Sequence, residues 1–284
     1  MSETLAAAER RMAQELAAAG IGEAALEARL LLSHITGLSR AMMIAQSDRA
    51  LTPDETQSCR EALARRLLRE PLQHILGVTQ FYGLDIRTDA RALIPRPDSE
   101  CVVEAALDRL PKDQPLTLAD LGTGTGCLLA ALLTQRPLAR GEGVEASPEA
   151  AELARENIEA LGLTGRASIF SGSWSDWHGW ASADLIISNP PYIASGVIPA
   201  LEAEVREHDP MSALDGGADG LDAYREIISL AEAFMKPGAW LVLEIGYDQK
   251  AAVMDLLAAS GFAQAVSGAD LGGNDRWVAA RRPL

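Results

Sequence analysis

The stretch "LTLADLGTGTGCLLAALLTQ", residues 116–135, carries the most information about the fold. Its first part, "LTLADLG" (116–122), is apolar and strand-like, and a helix is predicted from about residue 125 to residue 135. A strand that passes through closely spaced glycines into a helix is typical of the ligand-binding end of an α/β sheet. The stretch therefore predicts an α/β fold with a candidate ligand site at the glycine loop.

The chain after residue 135 continues this alternation of strands and helices. Further strands are predicted at "GEGVEA" (141–146), "ASIFSG" (167–172), "ADLIIS" (183–188) and "AWLVLEIG" (239–246). Helices are predicted from the capping sequence "SPEA" onward, near 221–235 and over 249–260. The end, "FAQAVSGADLGGNDRWVAARR", indicates two strands joined by a glycine-rich turn. This order predicts a doubly wound, mostly parallel sheet with an antiparallel terminal strand.

The part before this sheet is predicted to be a small all-helical domain, residues 1–75. Apolar residues from Leu5 to Leu16 recur at helical spacing, and Gly37 is expected to end a second helix. In "LTPDE", Thr52 and Glu55 have the spacing of a capping box around a proline at the first helical position. Pro71 is expected to close the helical segment. Residues 76–95 then predict a short hairpin or an extended linker, and residues 96–284 form the second domain.

Composition limits the classes of protein to which the chain can belong. It has 284 residues, 48% of them hydrophobic, and a formal net charge of −15. No apolar run reaches the roughly 20 residues that cross a bilayer, and no secretory signal is predicted at the start. The three separate cysteines offer neither a zinc spacing nor a disulfide framework, which favours a cytoplasmic setting. The acidity argues against a direct nucleic-acid substrate, because phosphate binding relies on basic groups.

The first candidate site is the glycine loop, formed by Gly122, Thr123, Gly124, Thr125 and Gly126. Cys127 stands where the dinucleotide fingerprint has its last glycine, and no Gly-Lys-Ser/Thr ending indicates a P-loop. The loop therefore fits S-adenosylmethionine better than a pyrophosphate. A tight turn between strand and helix without any ligand is the alternative.

The second candidate is Glu145, which closes "GEGVEA" 23 residues after Gly122. A carboxylate at the end of the second strand can accept hydrogen bonds from both hydroxyls of an adenosine ribose. A surface glutamate before a helix is the alternative. The presence of the glycine loop favours the cofactor interpretation.

The third candidate is "SNPPYIASG", residues 188–196, which follows the strand "ADLIIS". Pro190 and Pro191 cannot donate hydrogen bonds, so nearby carbonyls are free to face a cleft. The amide oxygen of Asn189 and the carbonyl of Pro190 can then bind both hydrogens of an –NH2 group. Tyr192 can lie over a planar amide or base. We expect a site for a planar nitrogen nucleophile that needs no metal; an ordinary proline-rich loop is the alternative.

Among the remaining aromatic residues, Trp174 lies nearest the end of the strand "ASIFSG" and can border an adenine. "SWSDW" leaves this assignment open between Trp174 and Trp177. His34, His74 and His178 form no cluster along the chain and are interpreted as structural or surface residues.

Taken together, "ALIPRPDSE", "DLGTGTG", "SNPPYI" and "ALDGGADGLDAYR" resemble the HemK-type protein N5-glutamine methyltransferases. The motifs stand in the order of that family and cover about residues 75–284. Asn-Pro-Pro-Tyr alone is not diagnostic, because amino-methylating DNA enzymes share it. "LIPRP" upstream and "ALDGG" with "DGL" downstream make the narrower match.

The resemblance implies a Rossmann-like methyltransferase that modifies the Gly-Gly-Gln glutamine of class 1 peptide chain release factors. It implies that Gly122 to Gly126, Glu145, Trp174 and Asn189 bind S-adenosylmethionine. It also implies that Asn189 to Tyr192 bind the substrate, with catalytic roles for Asn189, Pro190 and Tyr192. Glu145 stands where aspartate is common, which preserves the role with one methylene more of reach. The helical domain is expected to recognise the substrate protein.

Two other functions remain open from the sequence. A DNA adenine-N6 methyltransferase would use the same Asn-Pro-Pro-Tyr chemistry, but we would expect it to carry a basic target-recognition region. A non-enzymatic binder of the methyl donor would have no reason to combine the glycine loop with an amide-binding loop.

Overall fold

A computed structural model describes residues 3–284, and its chain forms two compact units. The helical unit extends as far as Val78 and includes Ala203–His208 from much later in the chain. The sheet unit comprises Thr79–Glu202 and Asp209–Leu284.

In the described part of the helical unit, from residue 3 onward, the helices are α1 (Leu5–Ala18), α2 (Ala24–Thr36), α3 (Arg40–Ala45), α4 (Pro53–Leu67), α5 (Leu72–Leu76) and α9 (Ala203–Arg206). The predicted capping box is present, since Thr52 and Glu55 exchange hydrogen bonds at the start of α4. Gly37 ends α2 in the left-handed conformation, as predicted. Pro71 does not close the helical segment, because it stands before α5 with its fixed φ suited to a helix start.

A buried ion-pair cluster ties α9 to the rest of the helical unit. Arg66 on α4 contacts Glu27 at 2.6 Å and Glu204 at 3.1 Å, and its side chain is only 6% exposed. Arg69 adds a second contact to Glu204 at 3.1 Å. The buried Arg66 guanidinium needs such partners, so its pairing with the partly buried Glu204 anchors this distant segment among the N-terminal helices.

The sheet unit begins with a hairpin of β1 (Val78–Phe81) and β2 (Leu84–Arg87). Tyr82 and Gly83 between them both have positive φ, at 51° and 75°, which is the pattern of the two-residue turns that join twisted strands. Of the two forms predicted for residues 76–95, the chain adopts the hairpin, followed by extended chain.

Seven strands form the main sheet: β3 (Thr117–Leu121), β4 (Arg140–Glu145), β5 (Ala167–Ser171), β6 (Leu185–Ser188), β7 (Trp240–Glu244), β8 (Ala263–Ala269) and β9 (Asp275–Arg281). Their order across the sheet is β5-β4-β3-β6-β7-β9-β8. The first five run parallel, and β9 lies antiparallel between β7 and β8. The predicted fold class is therefore confirmed, with the antiparallel strand inserted next to the edge.

The helices of the sheet unit are α6 (Glu100–Leu107), α7 (Cys127–Gln135), α8 (Pro148–Ala160), α10 (Met211–Leu214), α11 (Asp222–Phe234) and α12 (Lys250–Ala259). Short 3-10 turns occupy Pro97–Ser99, Gly179–Ala181 and Ile198–Ala200. One apolar cluster packs α6 and α7 against the sheet, and another packs α11 and α12. Because apolar strands are covered in this way, the open space for a ligand lies beyond their carboxyl ends.

Candidate active site

A cavity of about 540 Å³ lies beyond the carboxyl ends of β3, β4, β5 and β6. The predicted site residues that line it are Gly122, Thr123, Gly124, Thr125, Glu145, Trp174, Asn189 and Pro191. Gly126, Pro190 and Tyr192 do not line the cavity. The structure thus brings together residues from all three predicted segments, although they lie up to 69 positions apart in the chain.

The glycine loop turns sharply between β3 and α7. Gly122, Gly124 and Gly126 have φ values of 66°, 53° and 81°, a region that residues with a side chain rarely adopt. A Cβ at Gly126 would meet the backbone and side chain of Ala154 on α8 at 3.5–3.7 Å. The glycines thus allow the loop to turn, and no side chain at Gly122 or Gly124 separates its backbone from the cavity.

Glu145 at the end of β4 is held by the backbone on both sides. Its Oε2 accepts a hydrogen bond from the Gly124 N–H at 2.9 Å, and its Oε1 accepts one from the Ser147 N–H at 2.9 Å. Each carboxylate oxygen has two acceptor positions, so both can accept another donor from the cavity. The side chain is therefore oriented before any ligand arrives.

The two candidate tryptophans occupy different environments. Trp174 lines the cavity, and its ring lies 3.7 Å from the position that a Cβ on Gly122 would take. Trp177 is buried and donates from Nε1 to Glu142 at 2.8 Å, away from the cavity. Trp180 holds the backbone of Trp174 through an Nε1 hydrogen bond of 3.0 Å to its carbonyl. The geometry favours Trp174 over Trp177 as a cavity residue.

The Asn-Pro-Pro-Tyr loop leaves β6 next to the glycine loop, since Ser188 donates to the Leu121 carbonyl at 2.7 Å. Asn189 is half-buried and directs its amide nitrogen to the Ser99 hydroxyl at 3.5 Å. The Tyr192 hydroxyl donates to Glu244 at 3.3 Å, and Gln249 donates to the Tyr192 carbonyl at 2.8 Å. The loop is thus fixed at both ends, and the Asn189 carbonyl oxygen is left for another donor.

The segment Arg91–Arg96, with Ser99 after it, forms a further wall of the cavity. Arg91 pairs with Glu156 at 2.8 Å and Arg96 pairs with the buried Asp209 at 3.0 Å. In the sequence, the motif "ALIPRPDSE" is the signal for this segment.

Two buried acids lie at strand ends near the cavity. Asp120 is fully buried in β3 and accepts a hydrogen bond from the Thr123 hydroxyl at 2.6 Å, and burial raises its pKa to about 7. Glu244 closes β7 with 2% exposure, and burial likewise raises its pKa to about 7. Within residues 3–284 no three His, Cys, Asp or Glu side chains gather as metal ligands. Nor does any helix of that range have the length and apolar character to span a membrane.

Two family models match the chain. Residues 7–77 match the PrmC N-terminal domain, and residues 103–204 match the methyltransferase small domain. Among solved structures, the hMettl16 catalytic domain in complex with the MAT2A 3'UTR hairpin 6 covers 79% of this chain and 82% of its own, with a TM-score of 0.61. Its sequence identity is 17%, so this likeness concerns the fold alone.

Relatives with established names match almost the whole chain. The release factor glutamine methyltransferase of Geobacter sulfurreducens is 44% identical over 94% of this chain and 92% of its own length. That of Caulobacter vibrioides is 40% identical over 98% of this chain and 96% of its own length. These matches confirm the resemblance that the sequence motifs predicted. The chain belongs to the release factor glutamine methyltransferase family.

Proposed function

We propose that this chain transfers a methyl group from S-adenosylmethionine to the side-chain amide nitrogen, N5, of a glutamine. The substrate is the glutamine of the Gly-Gly-Gln motif in class 1 peptide chain release factors. The observation that carries the proposal is one cavity that joins the bare glycine loop and Glu145 to Asn189 and Pro191. The names of the relatives support the identity of the substrate.

The cavity offers hydrogen-bond acceptors, open backbone and an aromatic face that suit the parts of the cofactor. Glu145 offers one acceptor position on each oxygen for a ribose diol, while its backbone bonds keep it in place. Gly122 and Gly124 present backbone without side chains, and Trp174 offers a flat apolar face for an adenine. The cofactor supplies a methyl group on an electrophilic sulfonium.

The chain's own contribution to the chemistry is positioning. An amide nitrogen is a weak nucleophile because its lone pair is conjugated with the carbonyl. The Asn189 amide oxygen would accept one N–H bond in the cavity. The carbonyl of the adjacent Pro190, a residue outside the cavity lining, is proposed to accept the other and so orient the lone pair toward the methyl group. Preorganised acceptors of this kind can supply most of the acceleration without a metal or a carboxylate base. Tyr192 does not line this cavity, so its contact with the planar amide stays a prediction.

The helical unit is proposed to recognise the release factor rather than to take part in the chemistry. Among its described residues, 3–78 and 203–208, none lines the cavity. We place the reaction in the cytoplasm, where a protein substrate of translation is available.

The experiment is a methyl-transfer assay with labelled methyl donor and three samples: a class 1 release factor, duplex DNA and buffer alone. The proposal predicts label in the release factor only. Label in duplex DNA would favour adenine-N6 methylation instead, and a chain that binds the donor without any transfer would be a binding protein. Either result would overturn the proposal.

A further inference from the structure

Two buried side chains contact the Asn-Pro-Pro-Tyr loop: Ser99, which also borders the cavity, and Glu244, which does not line it. Ser99 is 3% exposed and accepts the hydrogen bond from Asn189 Nδ2 at 3.5 Å. Glu244 is 2% exposed and accepts the Tyr192 hydroxyl on Oε1 at 3.3 Å. Neither group has a role in the proposed transfer, yet each contacts a residue of the Asn-Pro-Pro-Tyr loop.

The second carboxylate oxygen of Glu244, Oε2, links this side chain to Ser99. Within residues 3–284, Oε2 is buried and accepts no hydrogen bond of ordinary geometry. The Ser99 hydroxyl lies close enough to favour the charged carboxylate and so lowers the pKa of Glu244 against the larger effect of burial. A buried carboxylate oxygen needs a donor, and a hydroxyl proton can rotate toward it. Ser99 is thus the neighbouring group that can serve both Glu244 and Asn189.

We propose that Glu244 and Ser99 form a positioning pair that fixes the amide orientation of Asn189. An ionised carboxylate only accepts, so Ser99 must direct its single proton to Glu244. The serine oxygen can then only accept, and it selects the –NH2 side of Asn189. A reversed amide would set its oxygen against the serine oxygen with no proton between them, which is unfavourable for a buried pair. The Asn189 oxygen is therefore held toward the cavity, where the proposed function requires an acceptor.

The same carboxylate also fixes Tyr192. Burial raises the pKa of Tyr192, so its hydroxyl stays protonated and donates to Glu244. One side chain on β7 thus controls Asn189 through Ser99 and contacts Tyr192 directly. Glu244 acts through other residues and is a positioning residue, not a catalytic one.

The pair makes the orientation depend on pH. When Glu244 binds a proton it can donate to Ser99, the serine proton is released for the Asn189 oxygen, and both amide orientations become possible. The charged and titratable groups around Glu244 are Asp98, Cys101, Cys127, Tyr192, Tyr224 and Arg276. Burial raises the pKa of both thiols to between about 11 and 12, and burial also raises that of both tyrosines. Glu244 is therefore the member of this group expected to titrate near pH 7.

The test combines a structural measurement with kinetics. The chain has only three asparagines, Asn157, Asn189 and Asn274, so ¹⁵N-asparagine labelling gives three side-chain amide signals. In Glu244→Gln and Ser99→Ala the Asn189 signal should shift, while the other two signals stay in place. Between pH 6 and 8 the wild-type Asn189 signal should move with a midpoint near 7, and it should not move in Glu244→Gln.

The matched control is Glu142→Gln, because Glu142 is also a strand glutamate bonded to a serine and an aromatic donor, at Ser168 and Trp177. It should leave the Asn189 signal unchanged. In the methyl-transfer assay, Glu244→Gln and Ser99→Ala should lower kcat about 10- to 100-fold with unchanged cofactor affinity, the range for one hydrogen bond to a charged group. Ser99→Thr, which keeps the hydroxyl, should restore most of kcat.

The pairing would be overturned if neither variant shifted the Asn189 signal. It would also be overturned if the Asn189 signal in Glu244→Gln moved with pH as it does in wild type. Both outcomes hold whatever the activity of the variants. A loss of kcat in Glu142→Gln equal to that in Glu244→Gln would also overturn the pairing, since the loss of either strand carboxylate would then suffice. If wild type transfers no methyl group to a release factor, the proposed function fails, but the amide signals still decide the pairing.

Discussion

Replacing Glu145 by alanine tests the cofactor site most simply. The variant loses the two acceptors proposed for the ribose hydroxyls and also the hydrogen bonds that hold the Gly124 and Ser147 N–H groups at 2.9 Å. Each hydrogen bond to a charged group contributes about 1.5–3 kcal/mol. In the variant, water can form hydrogen bonds in place of the lost carboxylate. We therefore use the lower value for each of the two bonds to the ribose hydroxyls, which gives a loss of about 3 kcal/mol in binding free energy. That corresponds to a roughly 150-fold rise in the Kd for S-adenosylmethionine.

Calorimetric titration of the variant with S-adenosylmethionine measures this change. Glu149→Ala is the matched control, because Glu149 is an exposed glutamate that contacts Ser147 at 3.1 Å and does not line the cavity. Both variants lose one negative charge in the same neighbourhood, so the control isolates the contacts from the long-range field. A Kd for Glu145→Ala within twofold of the control would remove Glu145 from the cofactor site.

Three further predictions concern the amide acceptor, the buried acids and the helical unit. Asn189→Ala should lower kcat about 100- to 1000-fold, the cost of losing one preorganised polar group, with little change in cofactor affinity. The kcat of Asn189→Asp should lie between those of Asn189→Ala and wild type. A near-normal kcat for Asn189→Ala would refute the role of Asn189 as an acceptor. Asp120 and Glu244 have folded-state pKa values of about 7 against ordinary values of 3.8 and 4.5, so the folded state binds more protons. The free energy of unfolding should therefore decline from pH 4 to pH 7, by roughly 3–4 kcal/mol for each acid. Denaturant titrations should show a smaller decline in Asp120→Asn, and an equal decline would exclude that acid as a source. Arg66→Ala should lower the free energy of unfolding by about 3 kcal/mol, because it leaves the partly buried Glu27 without its partner and leaves Glu204 with Arg69 alone. Thermal melts should show a smaller loss for Arg69→Ala, since Arg69 is more exposed, and the reverse order would contradict this account.

Local signals in the sequence predicted the strands of the main sheet and its long helices apart from α6. The capping box at Thr52 and the stop at Gly37 depend on neighbouring residues, and both are present. The strand ends that carry Gly122, Glu145 and Asn189 follow from alternation and from the rule that ligands bind at carboxyl ends of parallel strands. These signals operate within a few residues, which is why they can be recognised without the fold.

Contacts between distant residues could not be predicted in this way. Asn189 and Ser99 are 90 positions apart, and Tyr192 and Glu244 are 52 positions apart. Nothing in "PDSE" or "VLEIG" indicates that a serine and a glutamate meet behind the same loop. The inclusion of Ala203–His208 in the helical unit also depends on a contact between distant residues, the ion pair of Arg66 with Glu204.

The central claim is that the methyl group is placed on the glutamine nitrogen of the Gly-Gly-Gln motif. Mass spectrometry of a class 1 release factor after reaction with the wild-type chain and labelled S-adenosylmethionine locates that group directly. The account predicts one methyl group on this glutamine, and none on a release factor in which that glutamine is replaced by glutamate, because the nucleophilic nitrogen is gone. A methyl group on any other residue, or on the glutamate form, would contradict it.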